Sequence, residues 1–115
     1  MGFKMGKESR GMKNSSNVKI VRRDLDGIYG EAHDNGEVHI DKDVKPGSAL
    51  DKSVIRHETQ HVNDMRSGKL SYGDDYLRWS GKTYPRKNGK IKYNGKWLEE
   101  GSKSFPWEKV AYAKN

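Results

Sequence analysis

At 115 residues, 31% of them hydrophobic and with a net charge of +7, the chain has room for one domain with a thin core. It contains no cysteine, which excludes disulfides, thiol nucleophiles and cysteine-rich zinc modules, and it has no run of 18 apolar residues, so no membrane-spanning helix is expected. The charge favours anionic partners such as nucleic acid or bacterial wall polymer, and is equally that of a well-solvated surface.

Residues 1–17 are basic and polar, without the apolar stretch of a secretory signal. They are expected to form a flexible arm outside the fold, with a single domain over 18–115 in the cytoplasm or in a virion. Val, Ile, Leu and Phe total only 19 residues, a fraction close to that of disordered chains. Three Trp and six Tyr offset this with large buried areas. A metal that bound only the folded form would contribute much of the stability.

The β-branched run 18–21 reads as a strand. Strands at 28–32 and 38–40 follow, joined through Asp34-Asn35-Gly36. A two-residue Asn-Gly turn would pair Ala32 with His39 and scatter the apolar residues over both faces. A three-residue loop with a left-handed Gly36 pairs Ala32 with Val38 and Gly30 with Ile40, and puts all apolar residues on one face. That register is the expected one.

The clearest helix starts at Ser48, an N-cap with Asp51 three residues on. Leu50, Val54, Ile55, Val62 and Met65 form its apolar stripe, and Ser67-Gly68 ends it. From Tyr76 to Glu99 short strands alternate with Ser80-Gly81, Asn88-Gly89 and Asn94-Gly95 turns. Two-residue turns put Tyr84 opposite Tyr93 and Ile91 opposite Leu98, a self-consistent β-meander. Pro106 suits the first position of a terminal helix over 106–113.

His57-Glu58-Thr59-Gln60-His61 is an H-E-x-x-H pattern in mid-helix. Residues four apart stack on one helix face, so both imidazoles can reach one metal ion, while Glu58 projects beside them toward a metal-held water. Zinc would lower that water's pKa to about 7 and polarise the scissile carbonyl. Glu58 would take the proton and return it to the leaving amine. The plainer reading is a solvated helix face with two incidental histidines. Without cysteine, a metal here must use His, Asp or Glu, which points to a catalytic site, and such sites need a third protein ligand. Asp64 fails, because ligands at 57, 61 and 64 span about 10 Å of helix axis. It could instead orient His61 through a hydrogen bond.

Together with Phe105-Pro106-Trp107-Glu108-Lys109-Val110-Ala111-Tyr112, the motif resembles minimal gluzincin-type zinc metallopeptidase domains, some of them encoded by bacteriophages. In these a later helix completes H-E-x-x-H with a Glu, often in a Pro-aromatic-Glu-x-x-Ala context. The resemblance covers residues 28–112 and is more specific in its first half. It implies an α+β, zincin-like domain: a short antiparallel sheet or hairpin on the H-E-x-x-H helix, then a β-meander and a C-terminal helix. It also implies one Zn2+ held by His57, His61 and Glu108, with Glu58 as base, in a peptidase acting on protein or peptide. Asn63 departs from the pattern, standing where these helices usually carry an apolar residue. For Glu108 the alternative is an acid favoured by the dipole of a helix's first turn. Small Ala111 would let the two helices approach closely.

Tyr112, four residues after Glu108, is a candidate donor to the oxyanion, with a packed aromatic as the alternative. His33 and His39 fall on the outward face of the hairpin, and by analogy with zincins, whose hairpin edge strand pairs with an extended substrate, the resemblance implies that residues 37–41 are such an edge. Trp79, Tyr84, Tyr93 and Trp97 interleave with seven Lys or Arg between 78 and 96, a mixture that suits single-stranded nucleic acid or a small core. Two rivals to the peptidase therefore stand: a virion or assembly protein with a mainly structural zinc, contacting other virion proteins or the bacterial cell wall, and a basic nucleic-acid-binding module.

Overall fold

Gly36 adopts a left-handed backbone with φ of 92°, and that conformation sets the register of the first hairpin. In the computed structural model, which describes residues 3–5 and 18–113, strands β1 (Phe3–Met5), β2 (Lys19–Arg23), β3 (Gly30–Ala32) and β4 (Glu37–Asp41) form one sheet in the order β1-β3-β4-β2. Gly30 faces Ile40 and Ala32 faces Val38, the register expected from the three-residue loop. β2 runs parallel to β4. Two expectations fail here. Residues 37–41 are not an edge, because β2 and β3 occupy both sides of β4. Nor does the whole of 1–17 lie outside the fold, since Phe3–Met5 pairs antiparallel with β3; residues 6–17 lie outside those described.

Helix α1 (Ala49–Arg66) packs on the apolar face of this sheet. Ser48 caps it by accepting from the Asp51 amide. The Asp51 carboxylate reaches back to the Gly47 amide and takes a bidentate contact from Arg22 of β2, tying the helix start to the sheet. Val54 and Val62 are fully buried against Ala32, Val38, Ile40 and Val44. Leaving the helix, Gly68 is left-handed with φ of 83°.

A second sheet follows: β5 (Leu70–Tyr72), β6 (Tyr76–Trp79), β7 (Lys82–Lys87), β8 (Lys90–Tyr93) and β9 (Lys96–Glu99), antiparallel in chain order. Ser80-Gly81, Asn88-Gly89 and Asn94-Gly95 all have positive φ at both residues, as primed two-residue hairpin turns require. Ile91 opposes Leu98 and the Tyr84 and Tyr93 rings lie 5.6 Å apart. β5 was not expected; its three residues are too few for a periodicity signal.

The inner face of this sheet carries Leu70, Leu77, Trp79 and Ile91, which pack with Phe105 and Trp107. Helix α2 (Pro106–Tyr112) delivers Trp107 to this cluster. Tyr84 and Tyr93 also turn inward, both against Trp107, so three of the four aromatics that suited either nucleic acid or a small core are packed in the core. Met65 touches both apolar clusters, which makes α1 the shared wall of a small α+β fold with two helices and two sheets among the described residues. No helix of the described residues is long and apolar enough to cross a membrane.

Candidate metal centre

One helical turn separates His57 from His61, and both rings point off α1 toward α2. Their planes meet at 67° with centroids 4.8 Å apart, an edge arrangement that brings the two Nε2 atoms within 3.1 Å. Both side chains and Glu58 between them are completely buried. Glu58 lies against β3, where Gly30 makes room for it. A Cβ built on Gly30 would stand 2.6 Å from Val54 Cγ1 and 3.1 Å from both Cγ and Oε2 of Glu58. A side chain there would displace the glutamate or the strand.

Glu108 arrives from a different part of the chain. Arg86 of β7 and Glu100 form a buried bidentate ion pair at 2.8 and 3.2 Å, and Arg86 also donates to the Gly73 carbonyl. This clamp pins the segment leading into α2 to the second sheet. Pro106 then starts the helix, Trp107 locks it into the apolar cluster, and fully buried Ala111 brings α2 close to α1. Glu108 is thereby driven, completely buried, between the two histidines. Its Oε1 lies 2.7 Å from His57 Nε2 and 3.3 Å from His61 Nε2.

Three donor atoms thus form a triangle with sides of 2.7, 3.1 and 3.3 Å. No placement of hydrogens gives each side a hydrogen bond of its own: with the carboxylate ionised, one side always brings lone pair to lone pair or N–H to N–H, and with it protonated, a single N–H must be shared between two acceptors. A cation at the centre satisfies all three. Tetrahedral zinc with bonds of about 2.0–2.1 Å separates its ligand atoms by roughly 3.3 Å, close to the spacing seen. The other oxygen, Glu108 Oε2, is buried with no hydrogen-bond partner among the described residues, which leaves it available to an ion. The residues present fit a divalent metal.

Burial pushes the Glu108 carboxyl above its ordinary range, opposed by the charge and hydrogen bond of His61. A protein that isolates a carboxylate in this way must neutralise it, by a proton or by a cation. Tyr112 borders the centre, its ring edge-on to His57 at 4.5 Å. Burial, then the charges of Glu108 and Glu58, push its phenol up to about 12. Its hydroxyl donates to the Gly101 carbonyl at 3.2 Å. Asp64 is buried and accepts from Gln60 at 3.0 Å.

A second group, Glu31, His33 and His39, also brings His and Glu donor atoms together, on the sheet face turned away from α1. Here the rings stack at 3.9 Å and 28°. Ring lone pairs lie in the ring plane, so near-parallel rings cannot both aim at one ion about 2 Å away. His39 is also fully engaged, accepting from Arg23 Nε at 2.8 Å and donating to Glu37 at 2.8 Å. Arg23 donates as well to Glu31, which accepts from His33. This group is satisfied without a metal.

The sequence reading named His57, Glu58, His61 and Glu108, which the structure brings together, and Tyr112, which it places beside them. It missed Gly30 as the gap that admits Glu58, and the Arg86–Glu100 clamp. Gly30 carried a signal, a glycine inside a strand pattern, which marks a bulge or a close approach. The clamp carried none. Comparison of the chain with protein-family models, with curated proteins and with solved structures returns no match.

Proposed function

We propose that this chain is a zinc-dependent peptidase with a zincin-like fold, in which His57, His61 and Glu108 hold one Zn2+ and Glu58 is the general base. The observation that carries the reading is the buried triangle of three donor atoms contributed by residues up to 51 positions apart, which protons satisfy only by sharing one N–H between two acceptors.

When bound, the ion supplies a Lewis acid that polarises a carbonyl and acidifies water. Glu58, one residue from His57, is placed to accept the proton of the attacking water and to return it to the leaving nitrogen. Gly30 sets its distance from β3. Tyr112 acts by packing on His57 and fixing the ring's orientation, because its hydroxyl already serves Gly101. Protein or peptide is the substrate class, the chemistry being hydrolysis of an amide.

The test is metal content by mass spectrometry alongside cleavage of a generic casein substrate with and without chelator. One zinc per chain and chelator-sensitive, zinc-restored cleavage are expected. Cleavage that persists after complete zinc removal would sink the proposal.

The complete burial of His57, Glu58, His61 and Glu108 favours a second reading, in which the ion mainly stabilises a thin-cored virion or assembly protein. Glu58→Gln separates the two. The peptidase loses about 10²–10⁴-fold in turnover at unchanged metal content, whereas a purely structural ion leaves every function intact.

A further inference from the structure

The β-meander has one face in the core and one in solvent. Strand alternation and the cross-strand pairs place Lys87, Lys90, Lys92 and Trp97 together on the solvent face: Lys87 faces Lys90, and Lys92 faces Trp97. All four are exposed. Trp97 keeps 43% of its surface accessible, while Trp79 and Trp107 are buried. Beside it opens a pocket of about 340 Å³ lined by Lys87, Asn88, Lys90 and Trp97, at the lower end of the range for small-molecule sites.

The charges are not consumed locally. Lys87 and Lys92 make no ion pair among the described residues, and Lys90 meets Glu99 only at a loose 3.8 Å. The Trp97 indole is left in water on the edge strand β9, beside the lysines of β7 and β8, while its neighbour Leu98 packs on the core. Neighbouring strands stand about 4.8 Å apart, so cations on β7 and β8 flank the indole on β9 within the reach of one or two nucleotides.

We propose that the solvent face of β7–β9 binds single-stranded nucleic acid, Trp97 stacking on a base while Lys87, Lys90 and Lys92 neutralise phosphates. A planar stacking platform combined with a cation track is the recognition chemistry of unpaired bases on a phosphate backbone. A polyanion without rings would use the lysines and leave the indole idle. Specific base readout is not part of the proposal, because stacking accepts every base.

The experiment is fluorescence anisotropy of labelled oligo(dT) with the full chain between 50 and 200 mM salt. Binding should weaken with a slope of log affinity on log salt of about −2, three phosphates at roughly 0.7 each. Trp97→Ala should weaken binding about ten-fold and Trp97→Phe much less. Charge reversal of Lys87, Lys90 and Lys92 should abolish it, as should the gentler change of all three to Gln, while reversal of Lys45 and Lys52 on the other sheet's side should not. Melting curves confirm that each variant folds. Three outcomes would overturn the proposal: no binding at 50 mM salt, equal affinity for polyphosphate with no effect of Trp97→Ala, or full binding after the triple lysine change. None of these depends on the metal centre, which His57→Ala removes separately.

Discussion

Two groups of two histidines and a glutamate sit on opposite sides of the first sheet, each with donor atoms within 4.8 Å of one another. One is sealed between two helices, its rings at 67°, its glutamate delivered from a distant helix. The other lies on one hairpin, its rings stacked at 28° beneath a guanidinium that is 46% exposed. Residue type and proximity are the same in both. What differs is where the lone pairs point and whether a protein cation already answers the carboxylate. Arg23 does so in the hairpin group; nothing among the described residues does so for Glu108 Oε2.

The largest expected effect breaks the first group and spares the second. Replacing His57, His61 or Glu108 with Ala should take bound zinc from one per chain to none. His33→Ala and His39→Ala should leave it at one. Zinc at a thousand times its dissociation constant adds about 4 kcal/mol to stability, so chelation should lower the melting temperature by roughly 15–30 °C. Equal metal loss from both sets of variants would erase the distinction.

Gly30→Ala comes next. Its Cβ would meet Val54 and Glu58, so overpacking of about 1–3 kcal/mol is expected. Turnover should fall more than metal content, because Glu58 moves and the ligands do not. Tyr112→Phe keeps the ring on His57 and should cost under ten-fold in turnover. A loss of 10²–10³-fold would instead assign the hydroxyl to the reacting oxyanion.

The smallest effects sharpen the hairpin side. Arg23→Ala should cost about 1 kcal/mol, since the guanidinium is 46% exposed although Glu31 is buried, and should not create a second zinc site, since the rings stay stacked. A second equivalent of bound zinc would refute the orientation argument. The Glu31 carboxyl is held below its usual range, first by the hydrogen bond from His33, with burial opposing and the charges of His33, Arg23 and His39 assisting. A lowered carboxylate contributes stability above its unfolded range and loses it as pH falls through the folded one. Melting temperature measured from pH 6 downward should therefore fall less steeply in Glu31→Gln than in the parent chain.

Much of this architecture was legible locally. Side-chain alternation selected the Gly36 loop over the Asn-Gly turn, because the wrong register would have exposed Val38 and Ile40. Ser48 marked the helix start, and the paired Asn-Gly turns marked the meander. The role of Glu108 was legible only through resemblance, since an acid in a helix's first turn is common for its own reasons. The error at residues 37–41 has a definite cause. Nothing in that strand records that β2 returns parallel to it, because parallel pairing is decided by where the crossover lands.

The sequence alone determined what its short-range chemistry could encode: helix phase, turn type, the one-turn spacing of His57 and His61, and the absence of any thiolate ligand. Tertiary structure decided which carboxylate met those rings, which aromatics went inside, and which histidine pair had convergent lone pairs. The reason is range. Periodicity acts over a few residues, whereas a coordination site is set by angles between elements that lie far apart in the chain.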